Sequence, residues 1–196
     1  MLTQFLRRQA TGILEPIART IRVTNISPNV LTVIGFLLTV CVSGVLAAGY
    51  LQIGGILMIA AAVFDAIDGT LARVTNRTSR FGAFLDSTLD RYSEAVTFLG
   101  LLIYYTGQGR RTETILIFAT LIGSLLVSYT RARAEGLGIQ IKSGLFTRVE
   151  RVIVLIFGLI TGWMSPVLWI LALLTNFTAV QRIYTVWRIT GGERGG

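Results

Sequence analysis

The chain contains no histidine and a single cysteine, Cys41. The first absence removes imidazole acid–base chemistry and His-ligated zinc or haem. The second excludes an internal disulfide or a multi-cysteine metal site and leaves Cys41 as a packing residue. Any metal here has to be a hard ion held by oxygen, such as Mg²⁺ or Mn²⁺. Charge is scarce as well, at 14% of residues, against 53% hydrophobic. That balance belongs to an integral membrane protein.

The apolar runs are 30–50, 53–66 continuing to 72, 81–105, 114–129, 152–163 and 167–187. They predict an all-α polytopic membrane protein with six transmembrane helices, although some runs fall short of the roughly 20 residues of a full span. One membrane domain over 25–190 is expected, with a flexible tail over 191–196. Over 1–24, Leu2, Leu6, Ile13, Ile17 and Ile21 recur at helical spacing opposite Arg7, Arg8, Arg19 and Arg22. This predicts an interfacial amphipathic helix, which Pro16 can kink. No leader segment is expected, because the first strong apolar run begins only near Val30.

Turns are expected at Gly49–Gly55, 76–80, 106–112, 135–147 and Ser165-Pro166. With six spans, every Lys and Arg except Arg110 and Arg111 falls at or near one side. The positive-inside rule makes that side, with both termini, cytoplasmic in a cell membrane. The net charge of +8 then reflects topology and anionic lipid, and no nucleic-acid partner is expected.

Four aspartates stand out against this background. Asp65 and Asp68 are three apart, and Asp86 and Asp90 four apart, so each pair shares a helix face. An ionisable residue in a span costs about 2.5–3.5 kcal/mol on insertion scales. Four together call for a cation, since clustered carboxylates otherwise repel or protonate. The two helices run antiparallel from one cytoplasmic loop and bring the acids to one depth, a cage suited to two divalent ions and phosphoryl chemistry. Gly69 and Gly82 allow close approach of a nucleotide or phosphate, and Arg73 adds a planar cation. Ion pairing of Asp65 or Asp68 with Arg73 or Arg91 is the simpler alternative, but the acids outnumber the nearby bases.

The pattern Asp65-x2-Asp68-Gly69-x2-Ala72-Arg73-x8-Gly82-x3-Asp86-x3-Asp90 resembles the complete signature of the CDP-alcohol phosphotransferases, with all eight positions matched. The resemblance implies transfer of a substituted phosphate from CDP-diacylglycerol to an alcohol, with release of CMP. It implies Asp65, Asp68, Asp86 and Asp90 as metal ligands for Mg²⁺ (two ions) or Mn²⁺, with Asp90 also the general base. It places Gly69, Arg73 and Gly82 around the CMP moiety. It further implies that Pro28, Asn29, Val30, Leu31 and Thr32 line the nucleotide site, that Ser79 meets the donor phosphate, and that the chain is a homodimer. Taken alone, Pro28-Asn29 reads equally well as a helix start.

The segments 84–91, 131–135, 144–151 and Gln181-Arg182 resemble the phosphatidylinositol phosphate synthase branch, which implies inositol phosphate as acceptor. A dianionic acceptor needs arginines, and Arg131, Arg133, Arg148, Arg151 and Arg182 fall at cytoplasmic helix ends. Arg131, Arg133 and Arg182 are the expected acceptor-phosphate residues; each arginine read singly is equally a positive-inside anchor. Glycerol 3-phosphate is the alternative acceptor. A divalent-cation transporter is the alternative from another class, although Arg73 at the cytoplasmic mouth would repel its ion. A structural scaffold would not need the acids.

Overall fold

The structure, a computed structural model, describes residues 27–74, 79–141 and 144–191, leaving aside the side chains of 67–74. Among the described residues all regular structure is helical. The elements are α1 (Pro28–Ala47), α2 (Leu51–Val74), α3 (Arg80–Gly107), α4 (Arg111–Gly136), α5 (Arg148–Thr161) and α6 (Met164–Gly191). Each helix grows from one of the apolar runs. By length and composition, α1, α4 and α6 can cross a membrane, and Leu51–Ala66 of α2 is a shorter apolar stretch. The expected interfacial helix over 1–24 and the tail beyond Gly191 lie outside the described residues.

The helix boundaries follow local chemistry. Pro28 opens α1 at a position where a missing N–H costs nothing; Ser27 precedes it in extended conformation without a side-chain cap bond. Two expected turns are corrected. The first is Gly49-Tyr50 alone, with Gly49 at φ 90°, while Gly54 and Gly55 are buried inside α2. The last turn is at Gly162, left-handed at φ 78°, and Ser165-Pro166 already belongs to α6, because proline is tolerated in a first helical turn. The connection after α3 is also shorter than expected, since α3 runs to Gly107 and α4 starts at Arg111.

Two compact units divide within α3, between Gly100 and Leu101. In the first, α1 packs on α2, and a Cβ on Gly54 would collide with Leu46. The Ser43 hydroxyl of α1 donates to the Val96 carbonyl of α3 at 2.6 Å. In the second unit, α6 packs on both α4 and α5. The α4–α6 seam is small and polar: Thr120, Gly123, Ser124, Thr175 and Thr178 are all buried. Asn176 Nδ2 crosses it to the Ala119 carbonyl at 3.0 Å. Close backbone approach and interhelical hydrogen bonds are what hold helices together where lipid removes the hydrophobic drive. Meanwhile Leu37, Phe118, Phe177 and Trp187 are exposed, a surface suited to hydrocarbon.

Candidate active site

In the first unit, three carboxylates converge. Asp65 comes from α2, and Asp86 and Asp90 from successive turns of α3. One oxygen of each lies within 4.8 Å of the others; Asp65 and Asp90 are half-buried and Asp86 is exposed. Three anions at that separation repel unless a cation lies among them, and an all-oxygen donor set fits a hard divalent ion. Asp68, Gly69 and Arg73 belong to α2, where Asp68 follows Asp65 by one turn. Their side chains lie outside the described residues. Arg91 stands 4.0 Å from Asp90 while its guanidinium donates to the Ser87 carbonyl. At that range it is a weak pair and no substitute for a cation.

The start of α3 gathers the expected donor residues. The Gly82 N–H donates to Ser79 Oγ at 2.8 Å, so Ser79 caps the helix. A Cβ on Gly82 would meet Asn29 Oδ1 at 2.8 Å and Ser79 Oγ at 3.0 Å. Asn29, Ser79 and Gly82 are therefore neighbours, although Asn29 lies on a different helix. Within α1, Thr32 Oγ1 donates to the Pro28 carbonyl at 3.1 Å, Leu31 is buried, and Val30 is exposed. Glu94, partly buried, lies one turn beyond Asp90 but is not one of the three converging carboxylates; the sequence reading passed over it. It continues the four-residue spacing of Asp86 and Asp90 on α3, and that spacing alone was signal enough to find it.

In the second unit, arginines gather. Arg182 is only 5% exposed; its guanidinium donates to the Val127 carbonyl of α4. It sits inside α6 and not at its end, since the helix runs on to Gly191. The charges of Arg131, Arg151 and Glu135 all act on it. Arg151, which the sequence reading placed among the cytoplasmic arginines but not with its favoured three, is 3% exposed. It donates to the Phe146 carbonyl at 3.4 Å. A capping box sets its place in the first turn of α5: Glu150 Oε2 accepts from the Thr147 N–H at 2.9 Å and from the Thr147 hydroxyl. Arg131 Nε donates to Glu135 Oε1 at 2.8 Å, beside a cleft of about 430 Å³ lined by Arg131, Glu135, Gly138, Gln140 and Ile141. Arg133 is exposed and, two residues from Arg131, falls on the opposite side of the helix.

A separate polar group closes the other end of this unit. Arg110 donates to Glu113, and the Ser165 hydroxyl donates to the same carboxylate at 2.7 Å. The hydrogen bond to Glu113 holds the Arg110 guanidinium above its usual range.

Residues 25–185 match the CDP-alcohol phosphatidyltransferase family. The archaetidylinositol phosphate synthase of Pyrococcus horikoshii is 39% identical over 87% of this chain and 89% of its own length. The phosphatidylinositol phosphate synthase of Mycobacterium tuberculosis, solved with CDP-DAG bound, superposes with a TM-score of 0.84 at 33% identity, over 90% of this chain and 94% of that one. The same enzyme in complex with manganese and citrate gives 0.84 at 32% identity, over 89% and 88%. These matches span nearly the whole chain, and the aspartate signature falls inside the matched segment: the chain belongs to the CDP-alcohol phosphatidyltransferase family.

Proposed function

We propose that this protein transfers the phosphatidyl group of CDP-diacylglycerol to a hydroxyl of myo-inositol phosphate, giving phosphatidylinositol phosphate and CMP. The observation that carries the reading is the pairing of chemistries: a carboxylate cluster in one unit and a buried arginine cluster in the other. The named activities of the relatives, archaetidylinositol phosphate synthase in an archaeon and phosphatidylinositol phosphate synthase in a bacterium, favour this acceptor over glycerol 3-phosphate.

Asp65, Asp68, Asp86 and Asp90 would hold two divalent ions, Mg²⁺ or Mn²⁺. When bound, such ions neutralise the diphosphate and stabilise the departing CMP phosphate. Asp90 accepts the proton of the acceptor hydroxyl at a carboxylate oxygen. The hydroxyl oxygen bonds to the β-phosphorus as the bond from that phosphorus to the CMP oxygen breaks, so a single displacement needs no covalent intermediate on the protein. Gly69, Gly82 and the 28–32 segment are assigned to the nucleotide, and Ser79 and Arg73 to the donor phosphates. Arg131 and Arg182 take the acceptor phosphate, with Arg151 added on the strength of its burial; Arg133, exposed and on the opposite side of α4 from Arg131, stands outside this group. An arginine fork matches phosphate oxygens and discriminates against an uncharged alcohol.

The wider setting follows the same reading. Six helices span the plasma membrane, the active site faces the cytoplasm, and 25–190 is the catalytic domain. The chain works as a homodimer. Charge distribution supports the orientation, because only Arg110 and Arg111 lie on the far side.

The test is CMP release from CDP-diacylglycerol with Mg²⁺, scored against inositol phosphate, free inositol, glycerol 3-phosphate and serine. Inositol phosphate is expected to be the best acceptor, and free inositol a poor one. Preference for glycerol 3-phosphate would reassign the acceptor. CMP release independent of any alcohol would overturn the transferase reading.

A further inference from the structure

We infer that Gly144 is a positioning residue for the acceptor: its bare backbone is the wall that fixes the Arg182 guanidinium, an inference that rests on the role proposed above for Arg182. Gly144 lies in the connection between α4 and α5, far from Arg182 in sequence. A Cβ built on it would stand 2.5 Å from Arg182 Nη2 and 3.2 Å from both Cζ and Nε. Three atoms of one guanidinium therefore crowd the same point of the loop backbone. Nη1 is meanwhile engaged by the Val127 carbonyl on α4. The cation is thus fixed by a helix carbonyl at one nitrogen and by the glycine along its other atoms.

Glycine is needed here for space and not for backbone conformation, since Gly144 is absent from the positive-φ glycines Gly49, Gly109, Gly138 and Gly162. The consequence separates stability from function. The three atoms nearest to a methyl group at 144 all belong to the far end of one flexible side chain, so the fold can absorb it by moving the guanidinium. Recognition cannot absorb it as easily, because binding constellations tolerate only about 0.5 Å of displacement.

The experiment uses full-length protein in lipid nanodiscs, with CMP release measured against inositol phosphate at saturating donor and against donor at saturating inositol phosphate. Gly144→Ala should raise the acceptor KM about tenfold, the lower range for one charge-assisted hydrogen bond, with the donor KM and melting temperature held. In an Arg182→Lys background, Gly144→Ala should add almost nothing, because a slim ammonium does not need the wall. An unchanged acceptor KM in Gly144→Ala, with Arg182→Ala still raising it, overturns the inference alone. So do fully multiplicative effects in the double variant, or a fall in folded protein with both KM values rising. If Arg182→Ala itself leaves the acceptor KM unchanged, the underlying role of Arg182 fails first.

Discussion

Asp65, Asp86 and Asp90 stand partly open on two consecutive helices, whereas Arg151 and Arg182 are almost wholly buried on α5 and α6. The difference is physical. Arg91 stands 4.0 Å from Asp90, and three carboxylates with oxygens within 4.8 Å of one another form an all-oxygen set suited to a hard divalent ion. The buried arginines each donate to a backbone carbonyl, Phe146 for Arg151 and Val127 for Arg182. A buried cation needs such partners to be tolerable, and those partners also hold it in place before any ligand arrives. On the proposed function, the carboxylate set takes a metal and a diphosphate, and the arginines take the phosphate of an acceptor.

The largest effect is expected at the proton transfer. Asp90→Asn keeps the shape but cannot take the acceptor proton, and should lower kcat by about 10²–10⁴. CDP-diacylglycerol binding, followed by calorimetry, should persist; wild-type turnover would remove Asp90 from the base role. A smaller and one-sided effect is expected of Arg151→Ala. Loss of one charge-assisted bond of roughly 1.5–3 kcal/mol implies an acceptor KM about tenfold to a hundredfold higher. An equal rise in the donor KM would blur the division between the units. The smallest effect belongs to Arg133→Ala. Being exposed and on the other side of α4 from Arg131, it should change the acceptor KM by less than about fivefold; a larger change would bring that face of α4 into the acceptor site.

The same contrast explains what was legible from sequence. The aspartate pairs follow helical spacing within 26 residues, so their convergence could be read locally. Glu94 obeyed the same rule and was overlooked. The capping box Thr147-x2-Glu150 at the start of α5 is equally local, yet the expected apolar run began only at 152 and passed it over. By contrast, the meeting of Arg182 with Val127, Arg151 and Gly144 depends on how α4, α5 and α6 pack, which no local period encodes. Arg131 and Arg133 looked like a pair because they are close in sequence, yet a two-residue step on a helix separates their directions. The juxtaposition of Asn29 with Ser79 and Gly82 was implied by family resemblance, and the contact at Gly82 supplies its steric reason. At Ser165-Pro166 composition misled, because a proline in a first helical turn looks the same in sequence as one in a loop.

If the two units divide the substrates, crossed steady-state kinetics of Asp65→Ala and Arg182→Ala will separate their effects. CMP release would be measured with donor, acceptor and Mg²⁺ each varied in turn. Asp65→Ala should raise the Mg²⁺ requirement by at least about tenfold, as expected for a lost ligand, and leave the inositol phosphate KM near wild type. Arg182→Ala should do the reverse, with the acceptor KM about tenfold to a hundredfold higher and the Mg²⁺ and donor dependences unchanged. Variants that shift all three dependences alike would contradict the division.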